Sequence, residues 1–204
     1  MTARASVFIR TAAALACAAA VGIAGAASPG TAAPDFTIAD ATGKPVKLSE
    51  YRGKFVVLEW TNPECPFVRK HYSSQNMQGL QKEWGAKDVV WLTINSTNAS
   101  HSEYKTPVEM ASWMSAQGAA PKATLIDGTS ATARAYAAKN TPHMFVIDPS
   151  GKVIYDGAID DKRSTNPADV KGANNYVRAA LTEATAGKPV SVASTTPYGC
   201  TMKY

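Results

Sequence analysis

The sequence predicts an α/β sandwich with a partly parallel central sheet, on three observations. Short apolar runs rich in β-branched residues alternate with helical patterns along the chain. The last two strand-like runs, at 144–148 and 153–157, are joined by a Pro-Ser-Gly-Lys turn, which predicts an antiparallel hairpin. The length of 204 residues, with no internal repeat and no interdomain linker, fits one domain with a sizeable core.

The predicted elements follow one another with short connections. In chain order they are strands at 36–39, 46–48 and 55–60, a helix at 66–87, a strand at 89–94, a helix at 107–117, a strand at 123–126, a short helix at 130–139, the hairpin at 144–148 and 153–157, and a helix at 174–186. The polar loop 95–106 follows the end of a strand. Such loops commonly carry functional residues, so it is predicted to line the rim of a site.

The N-terminal residues have the pattern of a secretory signal peptide. Arg4 and Arg10 precede an Ala-rich apolar stretch, and Ala24-Gly25-Ala26 supplies an Ala-x-Ala cleavage signal. The apolar stretch is short for a permanent membrane anchor. Attachment through Cys17 is the alternative, because Leu15-Ala16-Cys17 is a partial lipobox. The sequence therefore predicts a periplasmic or secreted protein with a signal peptide at 1–26, a folded domain at 34–187 and a C-terminal segment at 188–204.

Charge and hydropathy argue against nucleic acids and membranes as partners. The formal net charge is +5, and removal of Arg4 and Arg10 would lower it by two. The remaining surplus forms no basic cluster, so no nucleic-acid binding is expected. The only apolar segment that could meet a bilayer is the signal itself, so no membrane association is expected after its cleavage.

Cys65 is the leading candidate for a catalytic residue. It follows the buried strand at 55–60 after a short polar turn, and a helical pattern begins just after it. The unpaired N–H groups and the dipole at a helix N-terminus favour the thiolate, which is the nucleophile. The alternative is a small buried core residue, the commonest role of a free cysteine. The position at a strand end and helix start favours the nucleophile.

Cys200 is the candidate partner of Cys65. If the signal peptide is removed, these are the only two cysteines left, which suggests one disulfide or one redox pair in an exported protein. Cys200 lies four residues from the C-terminus, close to Pro197 and Gly199, which break regular structure. A segment of this kind is predicted to be a mobile partner for a reactive thiol.

Four stretches carry a resemblance to a known family. They are the lead-in from Pro34-Asp35-Phe36-Thr37 to Tyr51-Arg52-Gly53-Lys54, the strand before Cys65-Pro66, the Thr141-Pro142 dipeptide before a strand, and Gly151-Lys152-Val153 in the hairpin. In this order and spacing they resemble the alkyl hydroperoxide reductase/thiol-specific antioxidant (AhpC/TSA) family of thioredoxin-fold redoxins. The resemblance implies a thioredoxin-like three-layer α/β/α sandwich with a mixed central sheet. It also implies redox chemistry at Cys65, no cofactor, and a partner thiol or disulfide protein or a peroxide as reactant.

Two departures from the family pattern leave the reaction open. Val68 stands where a Cys-x-x-Cys motif would have its second cysteine, and Asn62 stands where peroxiredoxins carry a threonine. What remains is one positioned cysteine and a second, distant one. With the signal peptide, the resemblance implies an exported thiol-dependent oxidoreductase with antioxidant, peroxiredoxin-like activity. In this reaction Cys65 is oxidised and Cys200 resolves it. The alternative is a thiol–disulfide exchange factor that uses the same two cysteines.

Glu59 is the candidate acid–base residue. The resemblance places it at the position of a buried carboxyl that shuttles a proton during disulfide exchange. Burial on the strand at 55–60 would raise its pKa and make it a usable acid and base. The alternative is a glutamate that faces solvent.

The loop at Thr141-Pro142 is the candidate substrate-binding segment. By resemblance Pro142 is cis and presents backbone to an extended substrate beside the thiol; the alternative is an ordinary trans proline in a turn. As an imidazolium, His143 would favour the Cys65 thiolate if it lay nearby; the alternative is a side chain that points away from the thiol.

Three further residues complete the candidate site. Arg69 lies one helical turn after Cys65 and is predicted either to stabilise a thiolate or peroxide or to lie on a solvated helix face. Trp60 and Asn62 are predicted to shape the pocket.

Two other functions and the oligomeric state stay open. Cys65, Cys200 and His143 offer sulfur and imidazole ligands suited to Cu(I), as in a copper-binding thioredoxin-fold protein. In a non-catalytic domain the Cys65–Cys200 pair would be a permanent disulfide that resists mild reduction. The sequence is compatible with a monomer or a homodimer.

Overall fold

The computed structural model describes residues 27–204, so the predicted signal peptide and Cys17 lie outside the described residues. Its elements are β1 (Thr37–Ala39), β2 (Pro45–Lys47), β3 (Val56–Trp60), α1 (Pro66–Ser73), α2 (Asn76–Gly85), β4 (Val90–Asn95), α3 (Pro107–Ala116), β5 (Ala123–Ile126), α4 (Ala131–Ala135), β6 (Asn140–Thr141), β7 (His143–Ile147), β8 (Val153–Gly157), α5 (Tyr176–Thr185) and β9 (Cys200–Thr201). Short 3-10 helices lie at Leu48–Tyr51 and Pro167–Gly172. None of the helices in this part of the chain is long and apolar enough to cross a membrane.

A five-stranded mixed sheet forms the centre of the fold, in the order β5-β4-β3-β7-β8. Strand β3 is parallel to β4 and antiparallel to β7, and β7 pairs with β8 as an antiparallel hairpin. Every residue of β3, β4 and β7 is buried, which explains why their sequences are nearly continuous apolar runs.

Each face of the sheet carries its own apolar cluster. On one face, α1, α2 and α5 pack over Val57, Met144 and Val146. On the other face, the β1–β2 hairpin and α4 cover Leu58 and Phe145. Alternate residues of β3 and β7 therefore point to opposite layers, as expected for strands. The predicted three-layer sandwich with a mixed central sheet is confirmed.

Two of the predicted helices differ from those observed. The single helix expected at 66–87 is broken into α1 and α2, because Gln75 adopts a left-handed conformation with φ 60° between them. The Ser73 and Ser74 hydroxyls before the break donate to backbone carbonyls of α1, and such side chains compete with helical hydrogen bonds and favour turns. The helix expected at 130–139 ends at Ala135, and Ala137 is left-handed with φ 49°.

The C-terminal segment, which is predicted to be a mobile partner of the thiol, is packed onto the domain in this structure. Strand β9 pairs with β6 in antiparallel register, with Thr141 opposite Cys200. Tyr198 and Met202 are buried on either side of this pair. Ser194 forms a further bridge with Asp156 of β8. The segment therefore contributes a strand and core side chains to the fold.

Candidate active site

Cys65 lies at the junction of β3 and α1. It is the N-cap residue of α1, with Pro66 at the first helical position, and its own N–H donates to the Asn62 carbonyl at 3.0 Å. As the N-cap residue, Cys65 stands at the positive end of the helix dipole. Pro66 supplies no N–H, so the unpaired amides of the first turn begin after Pro66. The side chain is buried, and its thiol donates to the Thr141 carbonyl at 3.0 Å.

The carbonyl that Cys65 contacts belongs to the loop between β6 and β7. Antiparallel pairing of β3 with β7 places His143 opposite Trp60, which brings the preceding Thr141–Pro142 peptide beside the Cys65 turn. That peptide is cis, as expected from the resemblance. The Thr141 hydroxyl is buried and has no hydrogen-bond partner within the described residues.

Cys200 reaches the same loop from the C-terminal segment. It lies opposite Thr141 in the β6–β9 pair, and Asn140 donates through its side-chain amide to the Gly199 carbonyl at 3.0 Å. Cys200 also packs against the apolar cluster that contains Cys65. Both cysteines in residues 27–204 are free thiols in this structure. The fold thus brings together two thiols that are far apart in the sequence.

The environment of Cys200 keeps it protonated. Burial, a hydrogen bond with Cys65 and the charge of the Cys65 thiolate together raise the pKa of Cys200 to about 12. At neutral pH Cys200 is therefore a thiol. Cys200 must lose a proton before it can act as a nucleophile.

Glu59 is buried in β3 among donors. Burial raises its pKa to about 7, although four hydrogen bonds to the carboxylate oppose that rise. The donors are Tyr72 and Trp91 at 2.8 Å and Gln81 and Thr93 at 3.2 Å. The expectation of a solvent-facing glutamate is excluded, and a carboxyl of this kind exchanges a proton readily near neutral pH.

Glu59 points to the same layer as Cys65. Val57, two residues earlier on β3, lies in the apolar cluster of Cys65, and alternate strand residues share a face. Tyr72, which donates to Glu59, is on α1, the helix that begins after Cys65. Strand β3 and helix α1 therefore place the carboxyl beneath the helix that carries the thiol.

His143 does not face Cys65, so the alternative of a side chain that points away is the one observed. Its side chain shares a layer with Phe145, and the two rings lie 4.6 Å apart. Its Nε2 pairs with Asp156 at 2.7 Å, and its Nδ1 accepts from the Lys139 N–H at 3.1 Å. Strand alternation explains this placement, because Met144 rather than His143 points to the thiol layer.

The copper-binding alternative loses its third ligand as a result. Both nitrogens of the His143 ring are occupied on the opposite layer of the sheet. Among residues 27–204 no group of three His, Cys, Asp or Glu side chains is arranged to hold a metal ion.

Arg69 and Trp60 are also placed away from the thiol. Arg69 donates to the Pro63 carbonyl and to Glu64, each at 2.7 Å, and its side chain is 58% exposed. Trp60 is fully buried and donates through its indole N–H to Ser96 at 3.1 Å. Arg69 thus lies on a solvated helix face, one of its two predicted positions, whereas Trp60 occupies a core position.

Asn62, which is predicted to shape the pocket, makes hydrogen bonds in the turn that holds Cys65. Its carboxamide oxygen accepts from the Glu64 N–H at 2.9 Å, and its amide donates to Glu103 at 2.8 Å. Glu103 also lies 3.7 Å from the ammonium of Lys203. The polar loop predicted to line the rim thus connects the Cys65 turn with the C-terminal segment.

Three residues of the site were not predicted from the sequence. Tyr72 lies seven residues after Cys65, a helical spacing that repeats one face, and this could have indicated it. Tyr198 and Gly199 precede Cys200, but no local pattern indicates that they fold against α1 and β6.

Comparison with known proteins bears on this arrangement. The model of the AhpC/TSA family matches residues 29–156. The thiol-disulfide oxidoreductase ResA of Bacillus subtilis (strain 168) is 28% identical over 134 residues, which cover 62% of this chain and 65% of that protein. The match therefore spans slightly less than two thirds of the length of that relative.

Solved structures share the architecture over more of the chain. An uncharacterized conserved protein from Geobacillus kaustophilus matches with a TM-score of 0.75 and 27% identity, over 86% of this chain and 92% of that one. A hypothetical protein from Sinorhizobium meliloti 1021 also gives 0.75, with 25% identity over 88% and 96%. A putative thiol:disulfide interchange protein DsbE from Chlorobium tepidum gives 0.54, with 27% identity over 64% and 85%. The fold is thioredoxin-like.

Proposed function

This chain belongs to the AhpC/TSA family, and from that premise we propose that it is a thiol–disulfide oxidoreductase acting through Cys65 and Cys200. One observation carries the proposal: the Thr141 carbonyl that accepts the Cys65 hydrogen bond belongs to the residue paired with Cys200. Adjacent antiparallel residues have Cα atoms about 5 Å apart. This pairing places Cys200 beside the loop that Cys65 contacts, and the two cysteine side chains hydrogen-bond to each other, which supports direct exchange between them.

The reaction proceeds in two exchanges. The Cys65 thiolate attacks a disulfide of a partner protein, forms a mixed disulfide and releases one partner thiolate, which takes up a proton. The Cys200 thiol then loses its proton and attacks the Cys65 sulfur. The Cys65–Cys200 disulfide forms and the second partner thiol leaves, so two electrons pass from the chain to its partner. The reverse sequence oxidises a partner dithiol.

Glu59 acts as the proton acceptor and donor in this cycle. Its pKa of about 7 leaves both protonation states populated near neutral pH. The Cys200 thiol, with its raised pKa, is the group that needs a base when it attacks. The position of Glu59 beneath α1 supports a role on the thiol side of the sheet.

Peroxide consumption is the second candidate, and it gives the chain an antioxidant role. In it the Cys65 thiolate attacks a peroxide O–O bond and becomes a sulfenic acid, and an alcohol or water leaves. Cys200 then attacks that sulfur, forming the disulfide and releasing water. A second cysteine beside Cys65 supports this route. The bonds of Arg69 to Pro63 and Glu64 weigh against it, since they keep this cation from the thiol.

The site of action proposed here is the periplasm or the extracellular space. The signal-peptide pattern of residues 1–26 supports export. N-terminal sequencing of the protein from a periplasmic fraction tests it; an intact Met1 on the accumulated protein would contradict export by cleavage.

The decisive experiment compares the wild type with Cys65→Ser and Cys200→Ser. The Cys65–Cys200 disulfide of the oxidised wild type is expected to be reduced readily. The reduced protein should form this disulfide again on incubation with a protein disulfide. Cys65→Ser should lose all exchange, and Cys200→Ser should stop as a mixed disulfide at Cys65. A Cys65–Cys200 disulfide that resists mild reduction would instead indicate a structural bridge. Consumption of peroxide without consumption of protein disulfides would favour the second candidate.

A further inference from the structure

A buried polar cluster lies beside α1, outside the residues already assigned to the redox reaction. It contains Lys70 and His71 of α1, Asp160 after β8, and Tyr198 of the C-terminal segment. All four residues are buried, and the side chains of Lys70 and Asp160 are 0% exposed. Buried charges are costly unless they are paired, so such a cluster needs a structural explanation.

Tyr198 is the centre of this cluster. Its hydroxyl donates to Asp160, and the Lys70 ammonium lies 3.9 Å from the same carboxylate oxygen. The His71 Nε2 lies 3.3 Å from the Tyr198 hydroxyl. Burial and the neighbouring Lys70 lower the pKa of His71 to about 3, so His71 is neutral. With its hydrogen on Nε2, it donates to the Tyr198 hydroxyl oxygen, which remains free to donate to Asp160.

The ring of Tyr198 is held by the same helix. Phe67 meets it edge-on, with centroids 5.8 Å apart, and the Lys70 ammonium lies 5.5 Å from the ring centre. Both the hydroxyl and the ring therefore contact α1. Since Cys65 is the N-cap of α1, the cluster ties the C-terminal segment to the helix that carries the nucleophile.

The other side of Cys200 is tied to a different element. The Met202 N–H donates to the Lys139 carbonyl at 3.0 Å, and its side chain is buried in the cluster on the opposite layer. Cys200 thus lies between two attachments, with Tyr198 two residues before it and Met202 two residues after it. Only the Tyr198 attachment leads to the Cys65 helix.

We propose that Tyr198, held by Asp160 and Lys70, is a positioning residue that keeps Cys200 in attacking geometry toward Cys65. The proposal rests on the proposed function, because it concerns the second exchange of that reaction. The relevant quantity is the effective concentration of the Cys200 thiol at the Cys65 sulfur. A thiol on a flexible segment has an effective concentration of only about millimolar, whereas a thiol held in a fixed geometry has a much higher effective concentration.

The test is the equilibrium of the Cys65–Cys200 disulfide with reduced and oxidised glutathione, in wild type and Tyr198→Phe. The substitution removes one hydroxyl and keeps the ring. We expect the effective concentration to fall roughly three- to tenfold, the range that one net hydrogen bond supports. The first attack by Cys65 on oxidised glutathione, measured in a Cys200→Ser background, should be unchanged by Tyr198→Phe.

Tyr136→Phe is the matched control. Tyr136 is equally buried, and its hydroxyl donates to the Pro34 carbonyl at 2.8 Å on the opposite layer. It should lower stability without lowering the effective concentration. Phe67→Leu, which removes the edge contact with Tyr198, provides a second variant and should change the equilibrium in the same direction as Tyr198→Phe.

Each outcome is decisive. The proposal is overturned if Tyr198→Phe and Phe67→Leu leave the effective concentration of Cys200 at its wild-type value. It is also overturned if Tyr136→Phe lowers that effective concentration as much as Tyr198→Phe does. If Tyr198→Phe slows the first attack by Cys65 by the same factor as it lowers the effective concentration of Cys200, the role of Tyr198 is merely structural and the proposal is also overturned. If wild type forms no Cys65–Cys200 disulfide at all, the proposed function fails and the positioning role fails with it.

Discussion

The backbone of Gly199 lies so close to Thr141 that a β-carbon on Gly199 would stand 2.0 Å from the Thr141 carbonyl oxygen. Gly199 also has φ +133°, a conformation that side chains rarely adopt. That oxygen is the acceptor for the Cys65 thiol. The close approach of these two backbones is what allows Cys200 to reach the site.

We therefore expect Gly199→Ala to displace the C-terminal segment from β6. The Cys65–Cys200 disulfide should form at least tenfold more slowly, and Cys200 should become more accessible to alkylation. Gly79→Ala is the control, since a β-carbon on Gly79 in α2 would meet nothing within 4 Å. That substitution should raise stability by about 0.5–1 kcal/mol. Wild-type disulfide formation in Gly199→Ala would contradict the role of this contact.

The buried carboxyl of Glu59 should make stability depend on pH. Its pKa rises from the ordinary 4.5 to about 7 on folding, so between these pH values the native state holds more protons than the unfolded chain. The free energy of unfolding therefore falls as pH rises through this window, by about 3 kcal/mol. The contribution is fully present below pH 4.5 and lost above pH 7.

Urea denaturation at several pH values measures this effect. Glu59→Gln should flatten the decline between about pH 4.5 and 7, and exposed Glu50→Gln should leave it unchanged. An unaltered decline in Glu59→Gln would show that another group titrates. Activity provides an independent measurement: disulfide exchange near pH 7 should fall about 10²-fold in Glu59→Gln, the lower end of the usual contribution of an acid–base residue.

The thiol of Cys200 should change its reactivity when Cys65 is removed. Burial is the largest cause of its raised pKa, and the hydrogen bond and charge of Cys65 add to it. In Cys65→Ser the charge at this position is removed, so the pKa of Cys200 should fall while staying above its ordinary value. Iodoacetamide alkylation of Cys200 between pH 8 and 10, followed by mass spectrometry of singly modified protein, measures this. An alkylation rate in Cys65→Ser no higher than in wild type would contradict the coupling.

Arg69 should be dispensable for the reaction. Its partners are Pro63 and Glu64, and its side chain is mostly exposed, so Arg69→Ala should change stability by less than about 1 kcal/mol. Disulfide exchange should stay within about twofold of wild type. A loss of tenfold or more in peroxide consumption, with exchange unchanged, would instead support the peroxide-stabilising role, the other alternative for Arg69.

The sequence was sufficient for the sheet and for the thiol. Strands β3, β4 and β7 are mostly apolar and fully buried, and such runs are predictable because both faces of the sheet are covered. Cys65 was identifiable from its place between a strand and a helix. The placement of Glu59 and the cis bond at Pro142 followed from the resemblance and agree with the structure.

Two kinds of feature were not predictable from the sequence. One is the face of a strand on which a side chain lies, and the other is contact between residues far apart in the chain. His143 is adjacent to Pro142 in sequence, yet strand alternation turns its ring to Asp156 in the opposite layer. Trp60 is likewise one residue from Glu59 but lies in the other layer. The attachment of Tyr198 to α1 depends on contacts across more than a hundred residues, for which no local pattern exists.

The separation of Cys65 and Cys200 along the chain has a thermodynamic consequence. They lie about 135 residues apart, so a bond between them would close a loop that includes most of the domain. Loss of loop entropy from the denatured ensemble alone would stabilise the oxidised protein by about 5 kcal/mol. Each turn of the redox cycle would then switch the same fold between two melting temperatures, and a partly oxidised preparation would melt in two transitions.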